Sequence, residues 1–112
     1  MEKNRVLIVD DEADIRELLG LTLQRMGLDT DCAANEFEAT QLMQKHGYDL
    51  CLTDMRLPDG DGLDLVAWIQ QHQPSLPVAV ITAHGNVESA VRALKLGAFD
   101  FVSKPLDLGV LR

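Results

Sequence analysis

The chain has 112 residues, 46% of them hydrophobic, and 18 acidic against 10 basic side chains give a net charge of −8. That length allows one compact domain with a real core, and no apolar run approaches the ~20 residues of a membrane span. The acidic balance is the wrong sign for a nucleic-acid surface, and no basic-then-apolar leader opens the chain, so a cytoplasmic location is expected.

Val6 to Val9 is an unbroken apolar run, as in a strand covered on both faces, and it ends in Asp10-Asp11. Asp11 is expected to cap a first helix, whose positive end suits Glu12 and Asp14. Ile15, Leu18, Leu19, Leu23 and Met26 give that helix its period, and Gly27 is placed to end it in a left-handed turn. Thr30 to Ala34 reads as a weaker, more polar strand. Asn35 and Glu38 have capping-box spacing before a second helix that runs to Gly47. Asp49 to Thr53 is a strand that delivers Asp54.

Pro58 to Gly62 is too rich in Asp and Gly to be anything but a loop. Leu63, Val66 and Ile69 mark a third helix, stopped by Pro74 and Pro77. Val78 to Thr82 is again a continuous apolar strand. Asn86 opens a fourth helix, with Gly97 just beyond it. Phe99 to Ser103 is a last strand, followed by Lys104-Pro105, and Leu106 to Arg112 reads as the start of a fifth helix. Cys32 and Cys51 fall in or beside strands and are expected as buried, reduced thiols.

Strict strand–helix alternation predicts an α/β fold, a doubly wound five-stranded parallel sheet with helices on both faces. The polar strand at Cys32 and the short one at Val102 belong at the edges, which gives the order 2-1-3-4-5. Chain direction then reverses between strands 1 and 3, and ligands bind at the carboxyl ends beside such a point. Asp10, Asp11 and Asp54 end the two strands that flank it.

Three carboxylates brought together repel one another, and a divalent cation relieves the repulsion. A few hard oxygen ligands favour Mg²⁺ over Zn²⁺ or a full Ca²⁺ cage. A metal-bound aspartate beside a lysine suits phosphoryl transfer. Asp54 would attack phosphorus while the Lys104 ammonium and Thr82 hydroxyl offset charge on the transferring oxygens. Each of these residues alone has a plainer reading, as a cap, a strand residue or a solvated surface lysine. Their placement at corresponding strand ends favours the joint one. An EF-hand loop beginning at Asp59 needs Asp or Asn where Leu63 stands and an acid where Gln70 stands, and it fails at both. No Gly-x-x-x-x-Gly-Lys phosphate loop is present. His46, His72 and His84 are scattered and read as surface residues.

These residues carry a resemblance over essentially the whole chain, Val6 to Pro105, to the receiver domain of bacterial two-component response regulators, with its flavodoxin/CheY-like fold. Val9-Asp10-Asp11 resembles the family's acidic pair, and Asp54 in Asp-Met-Arg-Leu-Pro-Asp-Gly its phosphoacceptor. Thr82-Ala83 resembles the switch hydroxyl with its small neighbour, Lys104-Pro105 the lysine, and Phe101 the aromatic switch. The resemblance implies that Asp54 takes phosphate from a sensor histidine kinase. It implies Mg²⁺ bound directly by Asp11, Asp54 and the Arg56 backbone carbonyl, and by Asp10 through water. Thr82 and Phe101 would then move and reshape the face of the fourth helix and fifth strand, a surface for a second copy of the chain. Arg56 and His84 fall where the family sets phosphate lifetime, and Arg56 is expected to shield the acyl phosphate.

Asp-Met-Arg-Leu-Pro-Asp-Gly, Ile-Thr-Ala-His-Gly and Leu-Gly-Ala-Phe-Asp-Phe-Val-Ser-Lys-Pro resemble NtrC-type activators that work with the alternative sigma factor, and Cys-Leu-Thr-Asp-Met-Arg-Leu-Pro-Asp-Gly and Pro-Leu-Asp-Leu-Gly resemble, among them, regulators of type IV pili. Such proteins carry further domains, so residues 1–112 are expected to be the receiver domain of a longer regulator. The fifth helix is then cut short, leaving apolar surface beside the first helix poorly covered. Two other readings compete. A phosphatase with an aspartate nucleophile needs an acid two residues beyond it, where Asp54 is followed by Arg56. A module that binds a partner without phosphorylation would have no use for the reactive residues. The domain itself is expected to bind neither nucleic acid nor membrane, and to catalyse only its own phosphorylation and dephosphorylation.

Overall fold

A computed structural model describes residues 4–82 and 87–103. The elements are β1 (Arg5–Val9), α1 (Ala13–Arg25), β2 (Asp29–Ala33), α2 (Glu36–Lys45), β3 (Leu50–Asp54), β4 (Arg56–Leu57), β5 (Gly60–Asp61), α3 (Gly62–His72), β6 (Val78–Thr82), α4 (Val87–Leu96) and β7 (Asp100–Ser103). Five strands form one parallel sheet in the order β2-β1-β3-β6-β7. Counted without the small β4-β5 hairpin, that is the expected 2-1-3-4-5. The polar β2 and the short β7 lie at the edges.

Successive side chains of a strand point to opposite faces, and both faces here are apolar. Leu7, Val9, Cys51, Val78 and Val80 join one core with Ala39 and Met43 of α2, Val66 and Ile69 of α3, and Ala93 of α4. Val6, Ile8, Leu52, Ala79 and Ile81 join the other with Leu19 and Leu23 of α1. This explains why the central strands read as unbroken apolar runs. Leu18 and Leu21 of α1 and its C-cap residue Met26 are exposed.

Helix ends follow local chemistry, with some corrections. The expected Asp11 cap is not made. Glu12 is the N-cap of α1 without a side-chain cap bond, and its N–H donates to Asp10 Oδ1 at 2.9 Å. Gly27 takes the left-handed conformation expected after α1, with φ of 87°, as Gly97 does after α4 with φ of 123°. Asn35 caps α2 by accepting from the Glu38 N–H, but the Glu38 carboxylate reaches back to the Ala34 N–H instead of closing the box on Asn35. The helix ends at Lys45, short of Gly47.

The segment expected to be a plain loop, residues 58–62, holds more structure. Arg56 pairs with Asp61 and Leu57 with Gly60 in an antiparallel hairpin. Asp61 then caps α3 in a capping box with Asp64. Cys32 is exposed on the edge strand, against the expectation of a buried thiol. Cys51 is buried, and that burial pushes its thiol up to about 12. Asn86, His84 and the start of a fifth helix at Leu106 lie outside the described residues.

Two contacts generate predictions. Gly62 N–H donates to the Met55 carbonyl at 2.8 Å, and a Cβ on Gly62 would strike the Asp54 backbone oxygen and lie 2.9 Å from Met55 Cα. Gly62→Ala is expected to cost about 2 kcal/mol, read by urea unfolding, and to shift the Met55 amide resonance. Tyr48 donates its hydroxyl to Asp31 Oδ2 at 2.7 Å, and Arg5 stands 3.8 Å from that oxygen. Burial, then this hydrogen bond, hold the phenol above its ordinary range. Tyr48→Phe should cost about 1 kcal/mol at pH 7. A raised folded pKa means a contribution complete below the unfolded value of ~10 and lost as pH climbs past it. The gap between wild type and variant is therefore expected to narrow above pH ~10 in urea melts.

Candidate functional site

Parallel pairing decides which strand ends become neighbours. Val9 of β1 sits opposite Thr53 of β3, so Asp10 and Asp54 come next on adjacent strands. Asp54 sits opposite Ile81 of β6, and Thr82 sits opposite Ser103 of β7. The carboxyl ends of β1, β3, β6 and β7 thus line one edge of the sheet. Asp10 is 0% exposed and Asp54 7%, two of the buried polar side chains among the described residues. Buried acids are costly unless hydrogen-bonded or paired, so their placement calls for a chemical reason.

Asp10 is held on both sides of its Cα. Its N–H donates to Ala33 O at 3.1 Å, and its carbonyl accepts from Arg16 Nη1 at 2.7 Å. Its Oδ1 takes the Glu12 N–H, which turns the chain so that Asp11 and Glu12 stand exposed beside it. Carboxylate oxygens of Asp10, Asp11 and Glu12 all lie within 4.8 Å of one another. Asp54 is fixed by its own successor, since Met55 N–H donates to Asp54 Oδ1 at 2.8 Å and lies 3.1 Å from Ile81 O. The Thr53 hydroxyl donates to the Asp54 carbonyl at 3.1 Å.

Of the residues expected at a metal, Asp10 and Asp11 are brought together, while Asp54 lies on the neighbouring strand end, outside the 4.8 Å group. Glu12 joins the group in its place. It reads from sequence as a residue suited to the helix dipole, and the signal for its second role is that it completes an acidic run of three. The set fits a hard divalent cation such as Mg²⁺, since every donor is a carboxylate oxygen and the crowded charge favours a counter-ion. Arg56 is exposed at the start of the hairpin, one residue past Met55. Phe101 lies opposite Val80 and packs, half-buried, on the core that includes α3 and α4. Lys104 lies outside the described residues, and Thr82 is described only in its backbone.

Sequence and structure comparisons agree with this arrangement. The response regulator receiver domain model matches residues 6–112. The response regulator protein PilR of Pseudomonas aeruginosa is 62% identical over 112 residues, all of this chain and 25% of that protein. The regulatory protein AtoC of Escherichia coli is 42% identical over 108 residues, 96% of this chain and 23% of that protein. The chain thus spans about a quarter of the length of the curated relatives it matches. Among solved structures, the receiver domain of NtrX from Brucella abortus superposes with a TM-score of 0.91 at 38% identity, covering 95% of this chain and 90% of that one. A response regulator receiver protein from Pseudomonas putida gives 0.91 at 36%, covering 99% and 93%. With the sheet order, the buried acids at the ends of β1 and β3, and a family match from Val6 to the last residue, this chain belongs to the receiver domains of two-component response regulators.

Proposed function

We propose that Asp54 is the phosphoacceptor of this receiver, taking the phosphoryl group from a phosphohistidine on a sensor histidine kinase. The observation that carries the reading is a carboxylate buried at the end of β3, one strand away from the buried Asp10 at the end of β1. An Asp54 oxygen attacks phosphorus, the phosphorus–nitrogen bond breaks, and the imidazole leaves as an acyl phosphate forms. Asp11, Asp54 and the Arg56 backbone carbonyl would hold Mg²⁺ directly and Asp10 through water, with Glu12 beside them, and the ion would supply positive charge to offset that on the transferring oxygens. The Thr82 hydroxyl and the Lys104 ammonium take the remaining charge.

The output surface is the face of α4 and β7, where Val91, Leu94 and Phe99 are exposed. Phe101 lies beneath it, partly buried. We place the receiver in a transcription activator of the NtrC type that works with the alternative sigma factor, on the strength of 62% identity to PilR and 38% to NtrC of Escherichia coli. A second copy of the chain docks on the α4–β7 face. Among the described residues no helix is long and apolar enough to cross a membrane.

Acetyl phosphate with Mg²⁺ is expected to add one phosphate to the chain, seen by intact mass, and none to Asp54→Ala. Labelling that survives in Asp54→Ala, or proceeds equally with the metal chelated, overturns the assignment. Calorimetric titration of the unphosphorylated domain with Mg²⁺ should show affinity lowered about tenfold or more in Asp10→Asn and in Asp11→Asn. Unchanged affinity in both would remove them as ligands.

A further inference from the structure

We infer that Asp59 is a positioning residue for the metal-binding segment: its carboxylate ties the turn of the β4–β5 hairpin to the N-terminus of α2 and so fixes where Arg56 presents its backbone carbonyl. The inference rests on the reading of Arg56 as a metal ligand.

Asp59 Oδ1 accepts the Glu36 N–H at 2.8 Å and Oδ2 accepts the Phe37 N–H at 3.0 Å. These are two of the orphan donors that every helix start exposes. The α2 helix has its own cap, Asn35, which takes the Glu38 N–H at 2.8 Å. The Glu36 and Phe37 donors are therefore met from 22 or more residues away in the chain, by a side chain of the hairpin. One carboxylate bridges the hairpin turn and the start of α2.

At the outer end of the hairpin Leu57 packs into the core, and the exposed turn beyond it is held by Asp59. The hairpin's strands are two residues each. Its inner end is fixed where Gly62 meets Met55 and Asp54, and Asp61 anchors its return to α3. Its turn, at Pro58 and Asp59, is exposed and carries the tether. Gly60 lies beside the movable end of the Glu36 side chain. The helix-end hydrogen bonds hold the Asp59 carboxyl below its ordinary range, as expected of a carboxylate that accepts two backbone donors. Arg56 is paired with Asp61 in the same hairpin, so freedom gained at the turn is passed to the carbonyl next to the site. A ligand held in place before the ion arrives costs less to order on binding.

The test is Mg²⁺ titration of the unphosphorylated domain by calorimetry, with amide exchange at Glu36 and Phe37 and circular dichroism to confirm folding. Asp59→Ala is expected to weaken Mg²⁺ about tenfold, and to speed exchange at both amides. Asp59→Asn keeps an acceptor oxygen and should recover part of the affinity. Two controls separate the tether from other effects. Asn35→Ala removes the helix's own cap and leaves the hairpin tied, and Glu36→Gln removes a nearby charge and leaves the tether intact. Both should stay within about twofold of wild type, since lone exposed charges are weakly felt. Equal loss in Asn35→Ala would reduce Asp59 to a helix cap, and equal loss in Glu36→Gln would reduce it to a charge. Wild-type affinity in Asp59→Ala overturns the inference alone. A wild-type domain that binds no Mg²⁺ overturns the metal reading on which it rests.

Discussion

The structure depends on the register of β1 against β3. Val9 opposite Thr53 makes Asp10 and Asp54 the next residues on adjacent strands. A slip of one residue would turn each strand inside out, exchanging the side chains that pack on α1 with those that pack on α2 and α3. Because both sheet faces are buried by separate apolar clusters, such a slip is opposed on both sides at once. The positions of the acids are thus set by hydrophobic packing several residues away. Packing drives the strands together, and the acids are carried to the edge by it.

The second constraint is the return of the chain after Asp54. A strand that ends in a reactive carboxylate must be followed by backbone that neither covers it nor drifts. Met55 is buried and bonded to β6, Gly62 lies against the backbone of Asp54 with no room for a side chain, and Asp61 starts α3 at once. The two acids of this turn have separate structural tasks, Asp61 within α3 and Asp59 across to α2. Glu36 stands among Asp64, Asp59 and Asp61, and partial burial first and those charges second raise its pKa. Repulsion is tolerated here because each neighbouring Asp is engaged by backbone N–H groups.

Much of this was legible in the residues because burial leaves a direct imprint on them. Unbroken runs at Val6–Val9 and Val78–Ile81 marked strands covered on both sides, and the polar stretch at Cys32 marked an edge. With strict strand–helix alternation, right-handed crossovers and the known doubly wound orders, those edges led to the sheet order. The β4–β5 hairpin was not legible, since two-residue strands carry no periodicity and Asp-Gly composition is equally that of a loop. Cys32 was misread because an edge strand alternates, and a small apolar residue there can face outward. Glu12 was assigned to the dipole of α1, whereas the turn of the chain at Asp10 also brings its carboxylate to the other two. Asp59 gave no local sign of its contact with α2, because its partners are backbone groups far back in the sequence and are invisible to side-chain patterns.

The opposite side of the site is built on different terms. The α4 helix enters the core through Ala93, and Ala98 follows it, while Val91, Leu94 and Leu96 face outward. An anchor of methyl size buries little area, and at roughly 25 cal/mol per Å² Ala93 by itself contributes little. Beneath it Phe101 is only half-buried, opposite Val80 and two residues before Ser103, the partner of Thr82. Local stability tracks buried apolar contact. Helices α1 and α3 insert Leu, Val and Ile, whereas among the described side chains of α4 the buried one is Ala93. Under the role proposed for Thr82, a change at the end of β6 would pass to β7 through the pairing with Ser103 and to the half-buried Phe101.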